Sequence, residues 1–238
     1  ILDYGDIIEI NLRGNTVLSY ELEVKRDGTI SIPELGSLFI SGLNYEQGVK
    51  KITDKIESSY TGTNADISLK EIRDIKVLIT GSVEFPGIYT LSGNSNVLQA
   101  LNIAGGVNEA GTLREIEIKR DGNVISSVDL YDALIFGDIS NIKQLQSGDS
   151  VYVKPAKKLV RAGSGFINEA LFELKDEETL EDLFEFSGGV SRNISNETFS
   201  LIRLDGSIMN ELNIDSNELK DIPVNHLDSL YFEVSKIG

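Results

Sequence analysis

The feature that most constrains the fold is an internal repeat with an offset of 83 residues. Residues 97–107 and residues 180–190 share the same spacing of apolar positions, and both segments end in a Gly-Gly pair followed by Val. Residues 149–153 and residues 228–232 also match, in a frame that small insertions or deletions have shifted. Because self-similarity of this kind marks repeated structural units, the sequence predicts two copies of one small domain.

The two copies are predicted to span residues 75–155 and 156–238. In each copy, apolar and β-branched runs alternate with turn signals, and one short segment has helical periodicity. Asp121-Gly122 and Asp205-Gly206 are dipeptides suited to a tight β-hairpin. The predicted order is strand, turn, strand, short helix, hairpin and final strand. A short helix packed on such a small sheet gives an α+β domain of the β-grasp kind.

The predicted helix of each copy begins with a similar capping signal. Asn96 is followed three residues later by Gln99, which is a capping-box pattern. Thr179 followed by Asp182 is a looser version of the same pattern, and it lies at the same offset of 83 residues. The shared cap supports the repeat, because chance similarity among apolar residues would not produce it.

The first 74 residues form a separate small domain in this interpretation. The helix predicted after Asn44, which has Gln47 as its capping partner, presents Val49, Ile52 and Ile56 to a sheet. Asp27-Gly28 is a third hairpin signal, and residues 33–36 interrupt the strand pattern that follows it. The segments predicted as strands are residues 6–12, 20–24, 29–32 and 65–69.

Composition excludes several classes of function. The formal net charge is −16, which disfavours nucleic acid and anionic bilayer surfaces as partners. The chain has no Cys, so a disulfide, a thiolate zinc site and a Cys nucleophile are excluded within these residues. No apolar run reaches the roughly 18–20 residues of a membrane helix, and the chain begins at Ile1 rather than Met. We expect a processed or trimmed soluble piece.

Two blocks of sequence resemble a known family. Tyr4-Gly5-Asp6 with residues 27–36 and 40–43 is similar to the polysaccharide export sequence domain of bacterial outer-membrane polysaccharide export proteins. Residues 81–89 with Ala104-Gly105-Gly106 resemble the soluble ligand-binding β-grasp (SLBB) domain that follows in that family. The resemblance implies one small α/β export domain at residues 1–74 followed by two β-grasp domains.

We interpret the residues that carry this resemblance as structural, because Gly and Pro suit the turns at which they stand. The set is Gly5, Asp6, Asp27, Gly28, Pro33, Gly36, Gly42, Gly81, Pro86, Gly87, Ala104, Gly105, Gly106, Gly188 and Gly189. The second copy departs from the first by having Glu169-Ala170 in place of Pro86-Gly87, so a different loop shape is expected there.

The resemblance implies a non-enzymatic role in the periplasm, in association with the bacterial outer membrane. Proteins of this family assemble into homo-oligomeric rings that conduct capsular polysaccharide or exopolysaccharide, and they work with an inner-membrane polysaccharide copolymerase. Family members typically carry an N-terminal lipid-modified Cys and often a C-terminal amphipathic helix, and this chain shows neither. Contact with the outer membrane would then depend on segments absent from this chain. No cofactor, metal or catalytic residue is predicted.

Other candidate sites have simpler explanations. His226 is the only His, so we interpret it as a solvated loop residue. Gly163-Ser164-Gly165 lacks the third Gly and the βαβ context of a dinucleotide loop. The acidic cluster at residues 176–178 and 181–182 lies at a predicted helix start, where carboxylates are favoured by the helix dipole.

Two further functions remain open at this stage. The chain could be a periplasmic β-grasp module that binds a saccharide or a protein partner without forming a conduit. A carbohydrate-active enzyme would need two carboxylates facing each other across a cleft, about 5–5.5 Å or 6.5–9.5 Å apart. With 38 acidic residues the sequence neither nominates such a pair nor excludes one.

Overall fold

The computed structural model describes residues 1–191 and 198–232. The chain forms two compact units, and we describe each of them by itself. Unit 1 consists of residues 1–78, 87–103 and 143–150. Unit 2 consists of residues 79–86, residues 104–142 and the described part of residues 151–238. Across the described ranges, no helix has the length and apolar character needed to span a bilayer.

The N-terminal part of unit 1 contains five strands and one helix. These elements are β1 (Ile7–Gly14), β2 (Leu18–Glu23), β3 (Thr29–Ile32), β4 (Gly36–Phe39), α1 (Tyr45–Glu57) and β5 (Thr63–Glu71). Strands β2, β1 and β5 form a three-stranded antiparallel sheet in that order, and β3 pairs with β4 in a separate hairpin.

Alternation along β1 and one face of α1 build the core of this part. Ile8, Ile10 and Leu12 point inward from β1, and Ile52 and Ile56 are fully buried on α1. Burying a side chain of this size contributes about 1.5–3 kcal/mol, so these contacts hold the helix on the sheet.

The capping box predicted for α1 is confirmed. The Asn44 side chain accepts a hydrogen bond from the Gln47 N–H at 2.8 Å. In return, the Asn44 N–H donates to the Gln47 side chain at 3.1 Å. These bonds satisfy two backbone donors that a helix start otherwise leaves unpaired.

The hairpin signal at Asp27-Gly28 does form a turn, but the strand after it pairs differently from the expectation. The Gly28 N–H donates to the Lys25 carbonyl at 2.9 Å, and Gly28 has φ +78°. Strand β3 then pairs with β4 rather than with β2, and Pro33 lies in the turn between them. Alternation of apolar and polar residues indicates a strand but does not identify the strand that pairs with it. The pairing of β3 with β4 could therefore not be predicted from the sequence.

The two repeats contain equivalent elements. The first repeat has β6 (Asp74–Gly81), β7 (Gly87–Ser92), α2 (Val97–Ile103), β8 (Gly111–Arg120), β9 (Asn123–Val128), α3 (Leu130–Leu134) and β10 (Ser150–Pro155). The second has β11 (Leu159–Ala162), β12 (Ala170–Glu173), α4 (Leu180–Phe186), β13 (Thr198–Asp205), β14 (Ile208–Asp215), a 3-10 helix (Ser216–Asp221) and β15 (Ser229–Phe232).

The strand orders of the two repeats are the same. The first five-stranded sheet has the order β7-β6-β10-β8-β9, and the second has the order β12-β11-β15-β13-β14. In the second sheet β11 runs parallel to β15, whereas the pairs β11-β12, β13-β14 and β13-β15 are antiparallel. The chain is therefore α+β with mixed sheets, as predicted. The β8-β9 hairpin turns at Asp121 (φ +50°) and Gly122 (φ +79°), which is the tight geometry expected from the dipeptide.

The core of the second repeat also receives residues from the end of the first. Tyr131 of α3 is buried in the same apolar cluster as Leu183, Phe186 and Phe199. Its ring packs edge-on against that of Phe186, with ring centroids 5.2 Å apart. The sequence analysis did not predict α3, because five residues are too few for a periodicity signal.

One turn recurs three times, each time just before a strand that it helps to start. Its first residue has a positive φ and donates its N–H to a carbonyl of another segment at 2.8–2.9 Å. The next residue is an Asp that is only 1% exposed, and its carboxylate accepts the N–H of the residue three positions earlier. The three turns contain Gly5-Asp6, Gly148-Asp149 and Leu227-Asp228.

In the third of these turns, we expect replacement of Leu227 by Gly to stabilise the chain. Leu227 adopts φ +69°, a conformation that costs a non-Gly residue roughly 1–2 kcal/mol, and its side chain is mostly exposed. We expect Leu227→Gly to raise the free energy of unfolding by up to about 1 kcal/mol, after the entropy cost of Gly in the unfolded chain. Urea denaturation measures this change.

The reciprocal change is the control. Gly148 has φ +90°, and a side chain there would meet no atom within 4 Å, so Gly148→Leu isolates the backbone effect. It should lower the free energy of unfolding by about 1–2 kcal/mol. A destabilised Leu227→Gly together with an unchanged Gly148→Leu would contradict this account of the turn.

Candidate functional site

Gly5 and Asp6 immediately precede β1, and Asp6 connects the beginning of the N-terminal part to Arg73 beyond β5. The Asp6 carboxylate accepts the Arg73 N–H at 3.0 Å through Oδ1 and the Arg73 Nη1 at 3.0 Å through Oδ2. Because a buried carboxylate is costly unless it is paired, these bonds fix the chain beyond β5 against the start of β1.

Asp27 and Gly28 hold the turn that leads into β3. The Thr29 hydroxyl and the Thr29 N–H donate to the Asp27 Oδ1 at 2.7 Å and 3.0 Å, and these bonds lower the pKa of Asp27 below its usual range. The Gly28 carbonyl accepts the N–H groups of Ile40 and Ser41. A Cβ on Gly28 would lie 2.5 Å from the Phe39 ring, so only Gly fits.

The remaining N-terminal signature residues lie in turns around β4. Pro33 is exposed in the β3-β4 turn, and Gly36 opens β4 with φ +81°. Gly42 also has φ +81°, and its N–H donates to the Leu2 carbonyl at 2.9 Å. At these positions backbone geometry explains the residue types without any contact to a ligand.

Gly81 and Gly87 flank the turn after β6, and they differ in how strictly Gly is needed. Gly81 has φ +89°, and a Cβ there would lie 2.0 Å from the Val153 carbonyl oxygen. Gly87 lacks a positive φ, and a Cβ there would meet Tyr89 at an ordinary 3.6 Å. Pro86 precedes β7 and is exposed.

The Gly pair after α2 binds the turn after β6 through the backbone. The Ala104 carbonyl accepts the Phe85 N–H at 3.0 Å, and the Gly106 carbonyl accepts the Glu84 N–H at 3.1 Å. Gly105 has φ +81°, and a Cβ there would lie 2.8 Å from the Phe85 ring.

The second repeat reproduces these bonds 83 residues later. The Ser187 carbonyl accepts the Asn168 N–H at 3.0 Å, and the Gly189 carbonyl accepts the Ile167 N–H at 2.9 Å. Gly188 and Gly189 both have positive φ, as Gly105 and Gly106 do. The change from Pro86-Gly87 to Glu169-Ala170 therefore leaves these two backbone hydrogen bonds intact.

The signature residues lie at separate turns rather than around one chemical centre. In the part of the chain that the structure describes, no three His, Asp or Glu side chains are grouped to hold a metal ion. His226 is exposed, and its Nδ1 accepts the Leu159 N–H at 3.1 Å. In the acidic cluster, Asp182 caps α4 by accepting the Thr179 N–H at 2.8 Å. The interpretation of the signature set as structural stays a prediction.

Unit 2 contains a polar cluster around the buried Arg114, and the sequence alone did not indicate it. We call it the Arg114 cluster; its members are Arg114, Asp129, Tyr131, Glu173, Lys175 and Glu178. Arg114 Nε and Nη2 donate to Asp129 at 3.1 Å, and Arg114 Nη1 donates to Glu178 Oε2 at 2.6 Å. The same Nη1 donates to the Glu173 carbonyl at 3.2 Å.

Aromatic rings and a lysine complete the Arg114 cluster. The Arg114 guanidinium lies 4.5 Å from the ring centroid of Tyr131 and 5.0 Å from that of Phe186, which are cation-π distances. Lys175 Nζ lies 2.8 Å from Asp129 Oδ2. The Tyr131 hydroxyl accepts the Glu173 N–H at 2.7 Å.

The surroundings of the Arg114 cluster change the pKa values of its members. Burial alone would lower the pKa of Arg114, but its bonds to Asp129 and Glu178 raise that pKa overall. Burial alone would raise the pKa of Asp129, but its bonds to Arg114 and Lys175 lower it overall. Burial raises the pKa of Tyr131 to about 12. Both shifts favour the charged forms of Arg114 and Asp129.

One sequence signal could have revealed this cluster. Alternation along β8 places Thr112, Arg114, Ile116 and Ile118 on the buried face, so position 114 puts a charge among apolar residues. A buried charge requires partners. Its carboxylate partners lie 15 and 64 residues away in the sequence, which is why the pattern of β8 alone does not name them.

Next to the Arg114 cluster, unit 2 contains a cavity of about 500 Å³. Leu113, Leu159 and Leu171 line its apolar wall, and Glu109 and Glu173 contribute carboxylates. Its size suits a small polar ligand with an apolar face.

Comparisons with known proteins agree with the resemblance seen in the sequence. Residues 1–70 match the family model described as polysaccharide biosynthesis/export protein. Residues 75–153 match the model of the SLBB domain. Two curated proteins of Escherichia coli, both named polysialic acid transport protein KpsD, are each 32% identical to this chain over 178 residues.

The chain belongs to the polysaccharide export family. The similarity covers 74% of this family member but only 32% of each KpsD sequence, so the chain spans about a third of the length of these curated relatives. Both matched family names and both relatives' names refer to export, transport or the SLBB domain.

The Arg114 cluster predicts a large loss of stability when the cation is removed. Arg114→Met should lower the free energy of unfolding by about 3–5 kcal/mol, because Asp129 and Glu178 stay buried without their main partner. The control is Lys157→Met, which removes an exposed ion pair with Glu115 and should cost at most about 1 kcal/mol. Equal effects in urea denaturation would contradict the role assigned to Arg114.

The same cluster predicts a pH dependence. The pKa of Asp129 is lower in the folded chain than in the unfolded chain, so its contribution is fully present above the unfolded value of about 3.9. That contribution is lost as the pH falls through the folded value. Stability should therefore fall less steeply in acid for Asp129→Asn than for the unsubstituted chain, and parallel pH profiles would count against the assignment.

Proposed function

We propose that this chain is the periplasmic part of a bacterial outer-membrane polysaccharide exporter. It assembles with further copies of itself into a closed ring and conducts capsular polysaccharide or exopolysaccharide toward the cell surface. It acts with an inner-membrane polysaccharide copolymerase and contacts the outer membrane through segments outside this chain. It performs no catalytic step in this proposal.

The observation that carries the proposal is the order of two family matches within one chain. The export match at residues 1–70 is followed directly by the SLBB match at residues 75–153. A similarity of 32% identity to proteins named for polysialic acid transport supports the same conclusion and favours a polymer of sugars as the substrate.

The repeat structure supports a second β-grasp domain in the same exporter. The strand order of β11 to β15 is that of β6 to β10, and the loop bonds at Ser187 and Gly189 repeat those at Ala104 and Gly106. We therefore propose three domains, at residues 1–74, 75–155 and 156–238. The third is a divergent copy of the second.

Deletion of the gene tests the export function. Polysaccharide should disappear from the cell surface and accumulate inside the cell, and complementation with the full-length gene should restore surface polymer. Fluorescent lectin or antibody staining measures the surface fraction, and chemical assay of cell extracts measures the retained fraction. Unchanged surface polymer in a strain without a redundant paralogue would refute export.

The alternative function is a saccharide-binding module that forms no conduit. The cavity of about 500 Å³ favours it, because apolar walls beside the carboxylates of Glu109 and Glu173 can accommodate a sugar ring. Light scattering of the full-length protein over a concentration series separates the two functions. A large closed oligomer supports the exporter, and a persistent monomer with measurable oligosaccharide affinity supports the module.

A further inference from the structure

A second cavity in unit 2 is an open apolar groove of about 420 Å³ beside α4. We call it the α4 groove. Its apolar lining consists of Leu134, Ile135, Phe136, Phe172 and Phe186. The Phe136 ring packs against the Phe186 ring with centroids 6.1 Å apart, yet Phe136 remains 51% exposed.

The two repeats differ at the Gly pair beside the α4 groove. In the first repeat the Phe85 ring lies against Gly105, so that a Cβ on this glycine would be 2.8 Å from it. In the second repeat the residue equivalent to Phe85 is Asn168, whose Nδ2 donates to the Ser187 carbonyl at 3.0 Å. At this position the second repeat therefore has a short polar side chain in place of the Phe85 ring, and Asn168 and Gly188 line the groove.

Exposed apolar side chains lie in the lining and near it in the sequence. Leu134 of the lining is 62% exposed, and Ile139 in the segment after α3 is 67% exposed. Ile167, which lies next to Gly188, is 58% exposed. Contiguous exposed apolar surface beside a groove is typical of interaction sites, because its exposure to water is unfavourable.

The surroundings of the α4 groove are strongly acidic. Residues 129–142 and 162–191 contain eleven acidic residues and one basic residue, Lys175, while Arg114, which lies 5.0 Å from the Phe186 ring, is paired with Asp129 and Glu178. Lys175 is held in an ion pair with Asp129. Glu185 lines the groove itself, and Glu181 lies one turn earlier on α4. The groove therefore combines an apolar floor with a negative electrostatic potential.

We infer that the α4 groove docks a segment of a partner protein that carries apolar side chains flanked by Lys or Arg. The apolar side chains enter against Phe136 and Phe186, and the basic residues face Glu185 and its acidic neighbours. A second copy of this chain is a poorer match for the groove, because 38 acidic residues outnumber 22 basic residues in each copy. This inference goes beyond the export function and holds whether or not the chain conducts polysaccharide.

Binding of a model peptide to the 238-residue chain tests the inference. The probe is a fluorescein-labelled amphipathic peptide built only from leucine and lysine, and fluorescence anisotropy measures its affinity. One control peptide has glutamate in place of lysine, and another has serine in place of leucine. We expect the leucine-lysine peptide to bind and both control peptides to bind at least about tenfold more weakly.

Substitutions in the chain locate the binding. Phe136→Ser should weaken binding about tenfold, whereas Ile208→Ser, which alters an even more exposed apolar residue on β14, should leave it unchanged. Glu185→Lys should weaken binding more than Asp205→Lys, although both substitutions raise the net charge by two. Circular dichroism confirms that each variant is folded.

Three results would overturn the inference. The first is the absence of measurable binding of the leucine-lysine peptide to the unsubstituted chain. The second is equal affinity for the unsubstituted chain and for folded Phe136→Ser, since binding would then lie elsewhere. The third is equal binding of the serine-lysine peptide, since charge alone would then account for the affinity.

Discussion

The buried ion pairs of Arg114 are the interaction on which unit 2 depends most. Removing a guanidinium and two carboxylates from water is costly, and the cost is offset only when every partner is in place. Arg114 and Asp129 belong to the first repeat, whereas Glu178 and the Glu173 carbonyl belong to the second. Arg114 also stacks on Tyr131, which lies in the apolar core of the second repeat. The hairpin β8-β9, helix α3 and the second repeat therefore stabilise one another.

This mutual dependence explains how a chain built from similar pieces gains specificity. The repeated features are local: the same strand order, the same loop bonds at the Gly pair and the same Asp turn before a strand. The features that differ between the repeats are the ones that make contacts beyond a single repeat. Arg114 lies on the buried face of β8, and Asn168 lines the α4 groove at the position equivalent to Phe85.

Local features of the fold were predictable from sequence. Capping boxes at Asn44 and Asn96, the hairpin at Asp121-Gly122 and the repeat itself follow from residue types at fixed short spacings, and the structure confirms them. The partner of β3 and the short helix α3 were not predictable, because alternation does not identify a neighbouring strand and five residues show no periodicity. The Arg114 cluster joins residues up to 64 positions apart. Its existence was signalled by a charge on a buried strand face, but its geometry depends on tertiary structure.

The central claim is that the first-repeat elements of unit 2 and the second repeat fold as one cooperative unit. Native-state hydrogen exchange of the 238-residue chain tests it most directly, by comparing the amides of Ile116 and Ile118 on β8 with those of Phe199 and Leu201 on β13. We expect the two sets of amides to exchange with the same opening free energy and the same dependence on denaturant. Exchange on β8 at a clearly lower free energy, with β13 still protected, would contradict the claim.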